Sequence, residues 1–395
     1  MDKIPQLEIE TRIAKLQKIL VQQQLDGALL LWNSDIFYFT GTKQNSYLFV
    51  PQSGDPVLMV KRGLDRGIAE SFVKDIVSIK SPKEIPSIIA THGITNLTKI
   101  GTELDVMPVN LYNFYGKIFD QIEFSDISPA IKQIRAVKSA YEVNIIRQAL
   151  KIMDEAFSLV PSLLREGMTE IELAALFEAE LRKRGYAGVC KMRAFNQSFF
   201  YGNVCSGKSG ISPSFFDGPV GGTGVSLSDP QGAGWKIINK NEPIYIDYTC
   251  IYQGYTGDQT RMFCIGDLPE KLKKAYNDAV FIKNEAVKSM HPGVLAEEPH
   301  ILALKLAEEL GYKDNFMGYK NNQVKFLGHG LGLELDELPI VAKGIKTKIV
   351  TGMTFALEPK FVFPEGAIGI ENSFVMTENG PECLSITAED IIYIK

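Results

Sequence analysis

The sequence predicts two domains, an α/β unit over residues 1–128 followed by an α+β unit over residues 129–395. Three observations lead there. A chain of 395 residues is longer than one hydrophobic core usually organises. Near residue 128 the texture changes from short apolar runs broken by turn residues to long amphipathic helices. Beyond that point one pattern occurs twice: residues 149–186 and 275–312 have the same length, an offset of 126, an inner glycine (Gly167, Gly293) and a Gly-Tyr ending. Such an echo predicts a duplicated unit in which each half supplies a helix pair and then strands.

In the first unit, "RIAKLQKILVQQQLDG" predicts a helix ending at Gly27. "ALLLWN", "DIFYFTG", "SYLFV" and "PVLMV" then read as strands, rich in β-branched and aromatic residues and separated by turn residues. "LTKIGTELD" and a weakly helical "LYNFYGKIF" complete it. In the second unit, Ser139 with Glu142 and Thr169 with Glu172 fit capping boxes that open helices. The second of these helices stops at Gly185.

Composition narrows the function. A net charge of −5 gives no reason to expect nucleic acid or an anionic membrane as partner. The five cysteines are an odd number without CxxC spacing, and they read as reduced thiols of an intracellular protein. The first twenty residues are charged and amphipathic, and no run of about 18 apolar residues follows, so a cytoplasmic location is expected. Only four histidines are present, His92, His291, His300 and His329.

Against this ordinary background one stretch is anomalous. "IYIDYTCIYQGYTGDQTR", residues 244–261, reads as two strands around a Gln253-Gly254 turn, with Asp247 and Asp258 among apolar neighbours. A carboxylate buried there needs a partner. Hydrogen-bonded structural aspartates, or a salt bridge to Arg261, would satisfy it. So would a metal. If the unit is duplicated, the second half should supply ligands of its own. "FLGHGLGLELDELP", "GMTFALEPKF" and "GAIGIENSFVMTENG" each offer one, His329, Glu358 and Glu371, in an apolar, glycine-flanked setting. Collected at one site, these five side chains would bind one or two divalent cations.

Two aspartates eleven positions apart, then GHGxG, EP and IEN, make a pattern that resembles the pita-bread metallohydrolases: aminopeptidase P, prolidase, creatinase and methionine aminopeptidase. "RAVKSAYEVNIIRQA" and "GMTEIELAALFEAELRKRG" fit the first half of that fold, and "DIFYFTG" is similar to a stretch of the N-terminal domain of its prolidase and creatinase branch. The resemblance implies an α+β pita-bread catalytic domain behind a creatinase-like α/β domain. It also implies two metal ions. Asp247 would chelate one, Asp258 and Glu371 would bridge the pair, and His329 and Glu358 would complete the other. One nitrogen among many oxygens suits Mn²⁺, Co²⁺, Fe²⁺ or Zn²⁺, and affinity alone does not choose among them; Mn²⁺ is the expected ion. Paired ions activate a water for hydrolysis, with Glu358 as its proton acceptor.

The pattern departs at three places. Ser214 in "SGKSGISPS" and Asp336 in "GHGLGLELDE" stand where peptidases of the family carry histidines that contact the substrate. Gly369 stands where an arginine often precedes the last glutamate. A histidine can donate to a developing oxyanion and an ionised aspartate would repel it. Asp336 is therefore a candidate to hold a cationic substrate group or to act as a base. In the connection 215–236, Trp235 and the Phe215–Phe216 pair are candidate pocket walls, and its lone GGTG is a weak phosphate-loop signal. The expected function is hydrolysis of an Xaa-Pro-like dipeptide or other small amide by a homodimer. The alternatives are a non-peptide hydrolase or lyase acting on a small molecule, and a metal-binding homologue without catalysis.

Overall fold

In the computed structural model, which describes residues 3–188, 190–193, 195–196 and 201–395, the chain divides into two compact units, Met1–Arg135 and Ala136–Lys395.

The first unit is built on a six-stranded sheet in the order Asp75–Ser78, Val57–Arg62, Asn45–Pro51, Gly27–Leu30, Lys99–Thr102, Glu123–Asp126. Its core gathers Leu29, Phe49, Val57, Met59, Ile85, Ile89, Ile100 and Phe119. Two expectations are corrected here. The first helix, Gln6–Gln22, ends before Gly27. That glycine instead opens a strand in which a Cβ would lie 2.5 Å from the Phe49 ring. The second correction is larger: "DIFYFTG" belongs to a helix, Asn33–Thr40, not a strand. Its aromatic residues favour a strand locally, but packing decides. Ile36, Phe39 and Thr40 bury one helical face. Gly41 closes the helix at φ 80°, its N–H donating to Phe37 O. The buried Asp35 carboxylate meets the Arg135 guanidinium at 2.6 Å.

The second unit contains two similar halves. Helices Ala140–Leu163 and Glu170–Lys183 open from the two expected capping boxes. Helices Glu270–Ser289 and Glu297–Glu309 repeat them, and both members of the pair end 126 positions after their counterparts, at 289 against 163 and 309 against 183. The linkers repeat as well. Gly167 N–H donates to Ile238 O at 3.0 Å and Gly293 N–H to Ile349 O at 2.8 Å, both glycines in the left-handed region.

Each half contributes a sheet. One runs Ile392–Ile394, Tyr255–Ile265, Ile244–Tyr252, Gly202–Ser206. The other runs Leu335–Val341, Gly328–Leu331, Thr354–Leu357, Asn372–Thr377, Gly380–Cys383. A bridge between Thr260 and Glu371 joins them, beside a two-stranded ribbon, Lys360–Phe363 with Gly366–Gly369. The five cysteines are free. Among the described residues no helix is long and apolar enough to cross a membrane.

Candidate metal centre

The hairpin quoted above forms as expected. Tyr252 pairs with Tyr255 across Gln253 and Gly254, both at positive φ, which is the two-residue turn that suits the right-handed twist of paired strands. Asp247 and Asp258 project from its two strands into one cavity, which His329, Asp336, Glu358 and Glu371 also line. The seam between the two halves is thus where the five candidate ligands meet.

The GHG motif has a steric explanation. A Cβ at Gly328 would come within 2.0 Å of Ala356 O, and one at Gly330 within 2.4 Å of Glu337 O. Glycine on each side of His329 allows both neighbouring strands to close on it, and the imidazole becomes buried. Its Nε2 faces three carboxylates, Glu358 Oε1 at 3.4 Å, Asp258 Oδ2 at 3.8 Å and Glu371 Oε1 at 4.0 Å. Its Nδ1 lies 3.4 Å from Asp336 Oδ1. A metal-bound imidazole commonly turns its other nitrogen towards a carboxylate in this way. Asp336 itself sits at φ 62°, a left-handed conformation that aspartate tolerates better than most residues other than glycine.

Asp258, His329 and Glu371 each offer a ligand atom, all within 4.8 Å of one another. Three anionic or imidazole donors on buried strands, with Glu358 as a fourth, suit one divalent ion. Without such a charge the carboxylates repel one another. Burial and the charges of Glu371 and Asp247 push Asp258 well above the usual carboxylate range. Burial raises Glu371 to about 7, against the pull of Lys360. Burial would also raise Glu358, but Lys360 and the hydrogen bond with His329 hold it below its ordinary value. For His329, burial is outweighed by Asp336 and Glu358, which keep it well above the usual imidazole range.

The sequence reading missed Lys360. This side chain is 1% exposed, and its Nζ stands 2.6 Å from Glu358 Oε2, 3.0 Å from Glu371 Oε2 and 3.1 Å from Asp247 Oδ2. Those three carboxylates outweigh burial and raise the lysine well above its ordinary value. Tyr245 donates its hydroxyl to the same Asp247 oxygen, and Thr260 Oγ1 donates to Glu371 Oε2 at 2.8 Å. Arg261, a candidate partner for the aspartates, points elsewhere: it donates to the carbonyls of Thr260, Glu371 and Thr387, each at 2.8 Å.

The candidate substrate residues separate. Phe216, Asp217, Gly218, Pro219 and Val220 line the cavity, whereas Ser214 and Trp235 are not part of its lining. Ser214 Oγ accepts from Phe216 N–H at 3.1 Å, and Trp235 is 66% exposed with its indole N–H on Val225 O. Trp235 is therefore no pocket wall in this structure. The GGTG segment serves close backbone approach: a Cβ at Gly222 would lie 2.4 Å from Gly232 O, and one at Gly224 1.9 Å from Asp229 O.

Residues 144–378 match the Metallopeptidase family M24, and residues 12–137 match the Creatinase/Prolidase N-terminal domain. An Xaa-Pro dipeptidase of Pyrococcus furiosus is 27% identical over 386 residues, 97% of this chain and 100% of that protein. An uncharacterized peptidase of Bacillus subtilis is 26% identical over 389 residues, covering 97% and 100%. Among solved structures, an Xaa-Pro dipeptidase from Bacillus anthracis superposes with a TM-score of 0.83 at 24% identity, covering 98% of this chain and 100% of that one. The prolidase from Pyrococcus furiosus does so with a TM-score of 0.77 at 26% identity, covering 94% and 99%. Their shared architecture is the two-domain, pita-bread fold that the motifs imply.

Proposed function

This chain belongs to metallopeptidase family M24, and from that membership we propose that it hydrolyses short peptides of the Xaa-Pro type with the help of a divalent ion, Mn²⁺ first among the candidates. The observation that carries the reading is the convergence of Asp258, His329 and Glu371, from both halves of the unit, on one buried point. A divalent ion held there supplies Lewis acidity, polarising a carbonyl and acidifying a water. The chain's own groups do the rest. Glu358, kept ionised by Lys360, is placed to accept the proton of an attacking water. Asp336 orients His329 through Nδ1.

The cavity also suggests which end of a substrate is held. Of the six carboxylates that line it, Asp247, Asp258, Glu358 and Glu371 are engaged by the ion or by Lys360, which leaves Asp217 and Asp336, with no lysine or arginine among the described lining residues. Such a surface favours a substrate that presents a free amine over one that must anchor a free carboxylate. The same feature favours a second reading, hydrolysis or elimination of a cationic small molecule that is not a peptide.

Product analysis by mass spectrometry separates the two. Mn²⁺-loaded protein would be incubated with Xaa-Pro dipeptides, their C-terminal amides, Xaa-Pro tripeptides and plain dipeptides, with Asp258→Asn as control. Cleavage that the control loses, and that prefers the amides, is the expected result. No cleavage of any peptide by protein shown to hold its ion would overturn the peptidase reading.

A further inference from the structure

Lys360 shares two carboxylates, Glu358 and Glu371, with the candidate metal position and takes Asp247 besides, and the sharing is ordered. Its ammonium takes Glu358 Oε2, Glu371 Oε2 and Asp247 Oδ2. The other oxygens of the two glutamates, Glu358 Oε1 and Glu371 Oε1, turn towards His329 Nε2 together with Asp258 Oδ2. Each glutamate thus offers one oxygen to the lysine and one to the His329 side. The resemblance implies a second ion chelated by Asp247 and bridged to the first by Asp258 and Glu371, and in this chain an ammonium nitrogen already holds one oxygen each of Asp247 and Glu371.

The fold makes room for it deliberately. Lys360 lies directly across the two-stranded ribbon from Gly369. A Cβ at 369 would lie 2.6 Å from Lys360 Cγ, so the lysine stem occupies space that any other residue there would fill. Gly369 is also the position at which relatives often carry arginine. In this chain the cation stands on the facing strand of the ribbon, at Lys360. An ammonium has three protons, and here three carboxylates receive them. Tyr245, which donates to Asp247 and whose ring lies 5.5 Å from Nζ, closes the remaining side.

We propose that Lys360 is the built-in cation of the second metal position, so that each chain binds one divalent ion, at Asp258, His329, Glu358 and Glu371, instead of two. The inference rests on the metallohydrolase reading for the existence of the first ion. A second ion would need the oxygens the ammonium already holds, and its charge would repel the lysine at contact distance. Lys360 acts through the carboxylates it positions, and it is not assigned a contact with substrate.

Metal counting tests this without any substrate. Chelator-stripped full-length protein is dialysed against excess Mn²⁺, and manganese per chain is measured by mass spectrometry alongside the electron paramagnetic resonance spectrum. One ion per chain with an uncoupled six-line signal is expected for wild type and for Lys360→Arg. Lys360→Gly, which vacates the position, is expected to take up a second ion and give a spin-coupled signal. Two ions in the wild type, or none, would overturn the proposal, and that measurement decides it even if Lys360→Gly fails to fold. One ion without peptide cleavage leaves the lysine assignment standing and counts against the peptidase reading alone. Two ions with cleavage does the reverse.

Discussion

Replacing Gly369 by alanine tests how tightly the ribbon around Lys360 is packed. At a strand position free of left-handed backbone, Gly→Ala ordinarily stabilises by about 0.4–1 kcal/mol, because the unfolded chain loses freedom. Here the added methyl would lie 2.6 Å from Lys360 Cγ, 2.8 Å from Lys360 Cα and 2.8 Å from Pro359 O. Two of those atoms are backbone, so no rotamer change relieves them. Overpacking of this kind costs about 1–3 kcal/mol, which outweighs the gain and leaves a net loss of roughly 1–2 kcal/mol. The assay is hydrogen-exchange mass spectrometry on peptides covering 244–265 and 354–377, where such a loss appears as roughly 5–30-fold faster exchange. Adding Lys360→Gly removes the Cγ contact but not the two backbone ones, so the pair should couple by only about 0.5–1 kcal/mol. Exchange that slows, or does not change, in Gly369→Ala would refute the close approach of the two strands.

Three other perturbations read different parts of the unit. Arg261→Met removes the charged donor from the buried carbonyls of Thr260 and Glu371 and from the part-buried carbonyl of Thr387, and should lower stability by about 3–5 kcal/mol, visible as a fall in melting temperature on the order of 10 °C; an unchanged melt would show that those bonds contribute little. Thr260→Val removes the hydroxyl that holds Glu371 Oε2 and should weaken Mn²⁺ binding about 10–100-fold by titration calorimetry, while Thr260→Ser retains it; equal affinities in all three proteins would refute the link. His300 is buried, with Nδ1 accepting from Lys343 N–H, and burial lowers it to about 4 from 6.5. Between those values the unfolded chain binds a proton that the native imidazole refuses. Stability should therefore decline as pH falls through that window, by at most about 1.4 kcal/mol per pH unit, and His300→Asn should flatten the decline in urea titrations. Parallel pH profiles for the two proteins would refute this.

Where side-chain chemistry conflicted with its surroundings, the sequence was informative. Asp247, Asp258, Glu358 and Glu371 stand out because a carboxylate in an apolar strand demands a partner, and the structure gathers them around His329. The duplication was legible because glycines at helix ends leave periodic marks that survive divergence. Lys360 posed the same conflict in "LEPKFVF". It escaped notice because a lysine in a strand reads first as protection of a sheet edge. Recognising it requires the ribbon register, which sets Lys360 against Gly369. Asn33–Thr40 was misread for a different reason: its aromatic residues carry strand propensity, and the buried ion pair Asp35–Arg135 lies a hundred positions apart in sequence. Ser214 is a candidate through its place in a pattern and Trp235 through its place in a loop, and neither fixes where a side chain points.

A lysine joined to the backbone has no dissociation constant. Metal ions come and go with their concentration outside the protein, whereas an ammonium on its own stem is present at a local concentration set by covalent geometry. In this chain, part of the charge that lets four carboxylates share a buried cavity cannot be removed by a chelator or by scarcity of metal. The seam between the two halves should then remain closed under metal starvation, with one site to refill when the ion returns.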